Sequence, residues 1–438
     1  MVDHRLGRAL APFRHALLLL ASTLWASCSG PLPPADERGV PNATSQCVVR
    51  VLERAVVRDG EAELYVEPSV FRPAGDGFLV AGQPVYAWRP DGVGGASPLP
   101  ADFFGVLVAE GSVTRIPRPP GIGPIGRVRG VPTGSGAWAF VFEGLDRPSA
   151  TRGEPVAAYF AEYGPAGWGR ITPLPSPPDG RLEISASSPL VVSGDTLQWA
   201  VPFTGQGGAV DVLRYQFGAG ASRVDTVASR WADGVTLAWT EDRRTWLAVV
   251  GLDPEHGAQL ASVRLRPDDD RLLPARRLTV GAPGVRFRRP TIAEVGGDLH
   301  VAWQRLDPNG RVDAWLSVAR TAASEQTPPV LLAHSAARLE LLRAAPTESV
   351  WATMGVDPIT STQSIGIHRV SRAGAVRSAS MPSPYSGPFS ALASPSGDIL
   401  VVGPEALFDP VAPFVRSLVL RLNLSCNQTA AANHRPGR

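Results

Sequence analysis

The chain has 438 residues, 44% apolar and 19% charged, with 45 glycines and 43 prolines, which is enough apolar mass for a large core and enough turn formers for a strand-rich fold. All 42 basic residues are arginine, against 40 acids. The first 27 residues hold three Arg and one Asp, so the remainder is neutral overall; this argues against the basic stripe a nucleic-acid partner needs, and the lack of lysine excludes Schiff-base and P-loop chemistry.

Arg5, Arg8, Arg14 and His15 precede an apolar stretch from Ala16 to Trp25, and the small residues Ala26 and Ser27 lead into Cys28. A basic region, a short apolar core and a small-residue zone predict an export signal over residues 1–27. The run is shorter than the about 20 residues of a membrane-spanning helix. Leu24, Trp25, Ala26, Ser27 and Cys28 resemble the bacterial lipoprotein lipobox, with Trp25 where that family has Leu or another aliphatic residue. The resemblance implies cleavage before Cys28 and a lipid on its thiol; ordinary secretion with a stray cysteine is the alternative. Residues 28–45, rich in Pro, Gly and small polar residues, read as the lipidated cysteine and a flexible tether.

Beyond the tether one phrase returns seven times: a turn, usually containing Gly, then a β-branched or aromatic run that often ends in Trp. The instances are Gly77 to Ala81, Gly136 to Phe142, Gly194 to Ala200, Gly234 to Trp239, Gly297 to Trp303, Ser349 to Ala352 and Gly397 to Val402. Their starts average about 53 residues apart, near the ~40 to 50 of propeller blades. A second apolar run follows most of them: Val156 to Ala161, Val210 to Tyr215, Thr245 to Leu252, Ala314 to Ala319, Ser364 to Val370 and Leu418 to Leu424. Ala336 to Ala345 has apolar spacing that suits either a short helix or a strand with flanking turns. Strands without crossover helices predict an all-β fold, a single seven-bladed β-propeller over residues 46–426, with a disordered tail at 427–438.

A ring of blades must be fastened, and pairing of the N- and C-terminal strands does this. Cys47 begins Cys47 to Val57 and Cys426 ends Leu418 to Cys426. Antiparallel pairing sets the start of one strand against the end of the other, within disulfide reach. An exported protein keeps such a bond.

The clearest unit is Arg289 to Ala322, with Pro290, Thr291, Gly297, Asp298, Val301, Trp303, Asp307, Gly310, Asp313 and Trp315. It resembles the repeats of sialidase-like β-propellers of bacterial surface and periplasmic proteins. Folds of this kind host hydrolases, lyases and pure binding modules, so the resemblance implies architecture and no single activity. Phe287, Arg288, Arg289 and Pro290 are similar to the Phe/Tyr-Arg-Ile-Pro motif of sialidases, whose arginine clamps a carboxylate; here the third residue is Arg and the motif lies in mid-chain. The Asp-box of that family, Ser-x-Asp-x-Gly-x-Thr-Trp, has its nearest match in Thr240, Asp242, Thr245 and Trp246, one residue short and without the glycine. The competing reading of Arg288 and Arg289 is a blade-entry loop with solvated arginines.

Other motifs reduce to structure. Gly121, Gly123 and Gly126 spell GxGxxG, but prolines crowd them and no helix follows, so they read as a loop. Asp307, Asn309 and Asp313 around Gly310 suit a hairpin turn better than a Ca²⁺ loop, whose distal Glu is absent. Asp268, Asp269 and Asp270 read as a solvated loop. His256, His300, His334, His368 and His434 lie far apart in sequence, which offers no metal-ligand spacing and no cofactor, and His300 inside a strand reads as half-buried and structural. Trp88, Trp138, Trp199, Trp239, Trp303 and Trp351 recur near one blade position and read as packing between blades.

The leading expectation is a lipid-anchored, monomeric propeller of the bacterial envelope that binds a protein or glycan, with no catalytic activity. The runner-up is a carbohydrate-active enzyme, resembling sialidases or glycan lyases, in which Arg288 or Arg289 grips an acidic sugar and Glu241, Asp242 and Asp313 are the carboxylates to examine as acid or base.

Overall fold

The computed structural model describes residues 47–426 except for 60–61, 75–76, 89–102, 110–111, 124, 134–135, 145–156, 177–180, 185–186, 194, 205–209, 219–220, 230–233, 240–244, 254–256, 265–275, 321–326, 394–396 and 408–413. The described strands form seven small antiparallel sheets arranged as a seven-bladed β-propeller, with no α-helix among the described residues. Blade 1 runs from Arg58–Asp59 to Ser112–Pro117, blade 2 from Ile125–Pro132 to Thr172–Pro173, and blade 3 from Arg181–Leu182 to Ala221–Ser229. Blade 4 runs from Gly234–Trp239 to Arg276–Val280, blade 5 from Arg286–Val295 to Val330–Ala333, and blade 6 from Ala336–Ala344 to Val376–Pro382. Blade 7 comprises Ser390–Ala393, Ile399–Leu407 and Phe414–Cys426, and takes its fourth strand, Cys47–Val56, from the other end of the sequence.

Burial follows from this stacking. The middle strands have a neighbouring blade on each face, so they are apolar almost throughout instead of alternating: Asp298–Leu306 (DLHVAWQRL) is buried from Asp298 to Gln304, and Thr196–Thr204 from Leu197 to Phe203. The outermost strand Val376–Pro382 has no fully buried residue. Seven apolar clusters fill the seven interfaces, one between each pair of adjacent blades. Blade 5 shows the division: Leu299, Val301 and Trp303 pack toward blade 4, whereas Ala302 packs toward blade 6. The tryptophans at 138, 199, 303 and 351 sit on second strands and are no more than 6% exposed.

The repeated phrase marks the second strand across the sheet in five blades, the middle strand Gly77–Trp88 in the five-stranded blade 1, and the first strand in blade 4, where Gly234–Trp239 precedes the second strand Thr245–Asp253. With Thr245 as the mark of blade 4, the uneven steps around Gly234 become about 50 residues each. Ala336–Ala344 is the first strand of blade 6, not a helix; bulges at Ala336/Arg338 and Leu341/Arg343 break its alternation and produce the helix-like spacing.

The terminal strands close the ring. Cys47–Val56 pairs antiparallel with Phe414–Cys426, Cys47 faces Cys426, and the two form a disulfide. Beside this seam Arg416 contacts Glu405 and Glu63, each of which also takes a second arginine, Arg54 and Arg58 respectively. No described helix is long and apolar enough to cross a membrane. The expected leader, Cys28, the tether and the C-terminal tail lie outside the described residues.

Candidate functional site

The first strands of blades 4, 5, 6 and 7 touch in succession, and Ala62–Ala74 of blade 1 touches the first strands of blades 7 and 2, so these strands are innermost. The inner strand of blade 5, Arg286–Val295, carries Arg288 and Arg289 near its start. Its pairing with the second strand shifts between Arg288 and Thr291, and Arg289 sits in that bulge with φ 47°, a left-handed conformation that L-residues other than Gly, Asn and Asp seldom adopt. Blade 4 comes close at this point. A Cβ added at Gly234 would lie 2.9 Å from Pro290 Cδ, so only glycine allows the approach.

Arg289 is exposed and directs Nη1 toward Ala337 O at 3.4 Å. The protein mass around it, then the charge of Arg338 and further that of Arg288, pull its pKa down, with Glu340 opposing them. Glu340 is already committed: Arg338 Nε lies 2.7 Å from its Oε1, and Ala391 N donates to its Oε2 at 2.6 Å. Arg338 Nη2 also donates to Ser390 Oγ at 3.2 Å. Neither Arg288 nor Arg289 has an ion-pair partner among the described residues. The inner strands of blades 5 to 7 thus gather three guanidiniums around one engaged carboxylate, an arrangement that attracts anions.

The structure brings Arg288 and Arg289 together on the inner strand. Asp313 lies two strands away in the same sheet, about 10 Å at the usual strand spacing. It pairs with Arg311 Nε at 2.9 Å and accepts from Ser335 N at 3.0 Å. Glu241 and Asp242 lie outside the described residues, as do Asp268, Asp269, Asp270, His256 and His434. Arg338, Glu340 and Ser390 were missed by sequence reasoning; the signal for the first two was hidden in the stretch that read equally as helix and strand.

Asp307 Oδ1 accepts from the backbone N–H of Asn309 and Arg311, each at 2.9 Å, which is a turn stabilised by its own aspartate. Asp357 Oδ1 does the same for Ile359 and Thr360 one blade on. Gly121 occupies a turn with φ 76°, and a strand, not a helix, begins at Ile125. His300 is fully buried rather than half-buried, because both faces of its strand are covered, and its Nδ1 meets Ser349 Oγ at 2.8 Å. His368 is 3% exposed, between Thr353 and Ser378 hydroxyls at 2.8 and 2.7 Å. Burial lowers the pKa of each histidine to about 4. No group of three or more His, Cys, Asp or Glu among the described residues is placed to hold a metal ion.

No protein-family model and no curated protein matches this sequence. Among solved structures the chain is similar to an oligogalacturonate lyase from Vibrio parahaemolyticus, with a TM-score of 0.51 and 10% identity over 86% of this chain and 98% of that one. It is also similar to a protein of unknown function from Dyadobacter fermentans, with a TM-score of 0.45 and 11% identity over 86% and 99% of the two chains. A Trypanosoma rangeli sialidase gives a TM-score of 0.41 and 10% identity over 72% and 56%. At these identities the likeness concerns fold alone.

Proposed function

We propose that this protein is a lipid-anchored β-propeller of the bacterial envelope that acts as a monomer and binds an acidic group of a glycan or protein at its inner strands, without a chemical step. The observation that carries this reading is Arg289. A non-glycine residue held at φ 47° costs on the order of 1–2 kcal/mol, and here the strained backbone sets one guanidinium beside two others with a single carboxylate already in use. A ligand with two or more acceptor oxygens would relieve that crowding through charge-assisted hydrogen bonds. The Cys47–Cys426 disulfide supports an oxidising, extracytoplasmic setting. A lipid on Cys28, with the tether behind it, would supply the membrane affinity that the neutral domain lacks.

Binding of the purified protein to an array of sialylated, uronate-containing and neutral glycans and of acidic peptides tests the reading. The expected result is retention on acidic members that Arg289→Gln weakens about tenfold or more. Uniform retention of acidic and neutral members would refute it. Turnover of an acidic glycan that disappears in Arg288→Ala would replace it with the enzyme reading. Fatty-acid labelling in cells should depend on Cys28, and labelling that persists in Cys28→Ser would remove the anchor.

A further inference from the structure

We infer a second binding site, between blades 4 and 5, that takes a small carboxylate carrying one ring. The strands of blade 5 build most of it. Pairing of Asp298–Leu306 with Val312–Arg320 sets Trp303 directly opposite Trp315, and pairing with Arg286–Val295 sets Phe287 opposite Arg305. Trp303 and Arg305 are two residues apart on one strand, so these four side chains share one face of the sheet. They line a cavity of about 230 Å³ whose opposite wall includes Thr279, Gly281 and Ala282, at the outer edge of blade 4. At about 30 Å³ per water this is room for on the order of eight waters, or one six-membered ring with its substituents.

The polar character of the wall is one-sided. The guanidinium carbon of Arg305 lies 5.8 Å from the ring centroid of Trp315 and forms no ion pair among the described residues. Its cross-strand neighbour Asp313 is engaged by Arg311 and by the backbone of Ser335. The indole Nε1 groups of Trp303 and Trp315 are buried and have no acceptor. By contrast Trp351, on the second strand of blade 6, donates to Ser349 Oγ at 2.7 Å. The blade 5 side chains around the cavity thus offer aromatic faces and one cation without an ion-pair partner among the described residues, and no free carboxylate. A complementary ligand brings what they lack: a flat or ring-shaped body against the indoles and a carboxylate against Arg305. This site is separate from the inner-strand arginines and does not depend on the binding reading given for them.

The test is titration of the whole protein with glucuronate and benzoate, and with glucose and benzyl alcohol as their uncharged counterparts, followed by tryptophan fluorescence and calorimetry. Both acids, or the better fitting one, should saturate with an affinity about tenfold or more above that of the neutral counterpart. Arg305→Gln should remove that advantage without changing the melting temperature, because Arg305 is partly exposed and forms no ion pair among the described residues. Trp315→Phe, which keeps a ring in place, should weaken the titration. Absence of saturation by either acid up to about 10 mM, equal binding of acid and neutral compounds, or an affinity that Arg305→Gln leaves intact would each overturn the proposal.

Discussion

Arg416 Nη1 lies 2.9 Å from Glu63 Oε2, an ion pair that joins the third strand of blade 7 to the inner strand of blade 1. The same guanidinium reaches Glu405 with Nε at 2.8 Å. The two carboxylate side chains are only 3% and 8% exposed, so both depend on this arginine for compensation within the seam. Arg416→Ala should therefore cost about 3 kcal/mol, since it leaves two buried charges with only the more exposed Arg54 and Arg58. Urea unfolding measures this, and adding Glu63→Gln to the arginine variant should recover part of the loss. A cost below about 1 kcal/mol, the range of surface pairs, would show that the seam does not rely on the network.

The disulfide acts on the same seam by another route. Cys47–Val56 is mostly exposed along its length, with Val48, Val51 and Leu52 about half in solvent, so the ladder to Phe414–Cys426 and the Cys47–Cys426 bond hold it more than packing does. The bond spans 379 residues, and the chain-entropy treatment gives it about 6 kcal/mol. Reduction, or the double change Cys47→Ser and Cys426→Ser, should lower the unfolding midpoint and release the N-terminal strand to proteolysis before the blades. An unchanged midpoint together with an unchanged cleavage pattern would show that the ring closes without the bond.

The ring and its closure were legible because they rest on local, repeated physics: a turn followed by a doubly covered apolar strand recurs in every blade, and Cys47 and Cys426 flank the terminal strands. Blade 4 was misregistered because its first strand, Gly234–Trp239, imitates the glycine-to-tryptophan phrase that in five other blades marks the second. The axial site was half legible. Arg288 and Arg289 stood out beside Pro290, but Arg338, Glu340 and Ser390 join them only through the closeness of inner strands from different blades, and bulges disguised the strand that carries two of them. The cavity at Trp303 and Trp315 was hidden for a different reason: tryptophans packed between blades and tryptophans lining a space look alike in a sequence.

His300 and His368 make stability depend on pH. Both are buried, and burial lowers each pKa from 6.5 to about 4. Above pH 6.5 neither form of the protein protonates them, and they contribute no pH dependence. Between 6.5 and 4 the unfolded chain takes up protons that the folded one refuses, so stability falls with pH, by about 3 kcal/mol per histidine by the time the folded state protonates. Urea unfolding at pH 7.5 and 4.5 should show the loss. Carboxylates titrate in part of that window as well, so the decisive comparison is the variant His300→Gln/His368→Gln, whose pH dependence should be visibly flatter. An equal slope in the variant and the parent would remove the histidines as its source.

Arg289 allows backbone strain to be separated from charge. Alanine and glycine both delete the guanidinium, but only glycine adopts φ 47° without a clash between Cβ and the following carbonyl. Glycine also loses more freedom on folding, which offsets part of the relief. Arg289→Gly should still melt above Arg289→Ala, by the equivalent of about 1 kcal/mol, while both lose retention on acidic ligands to the same extent. Equal melting temperatures would mean that the bulge relaxes once the arginine is gone, and the strain would then come from the crowded guanidiniums and not from the strand that carries them.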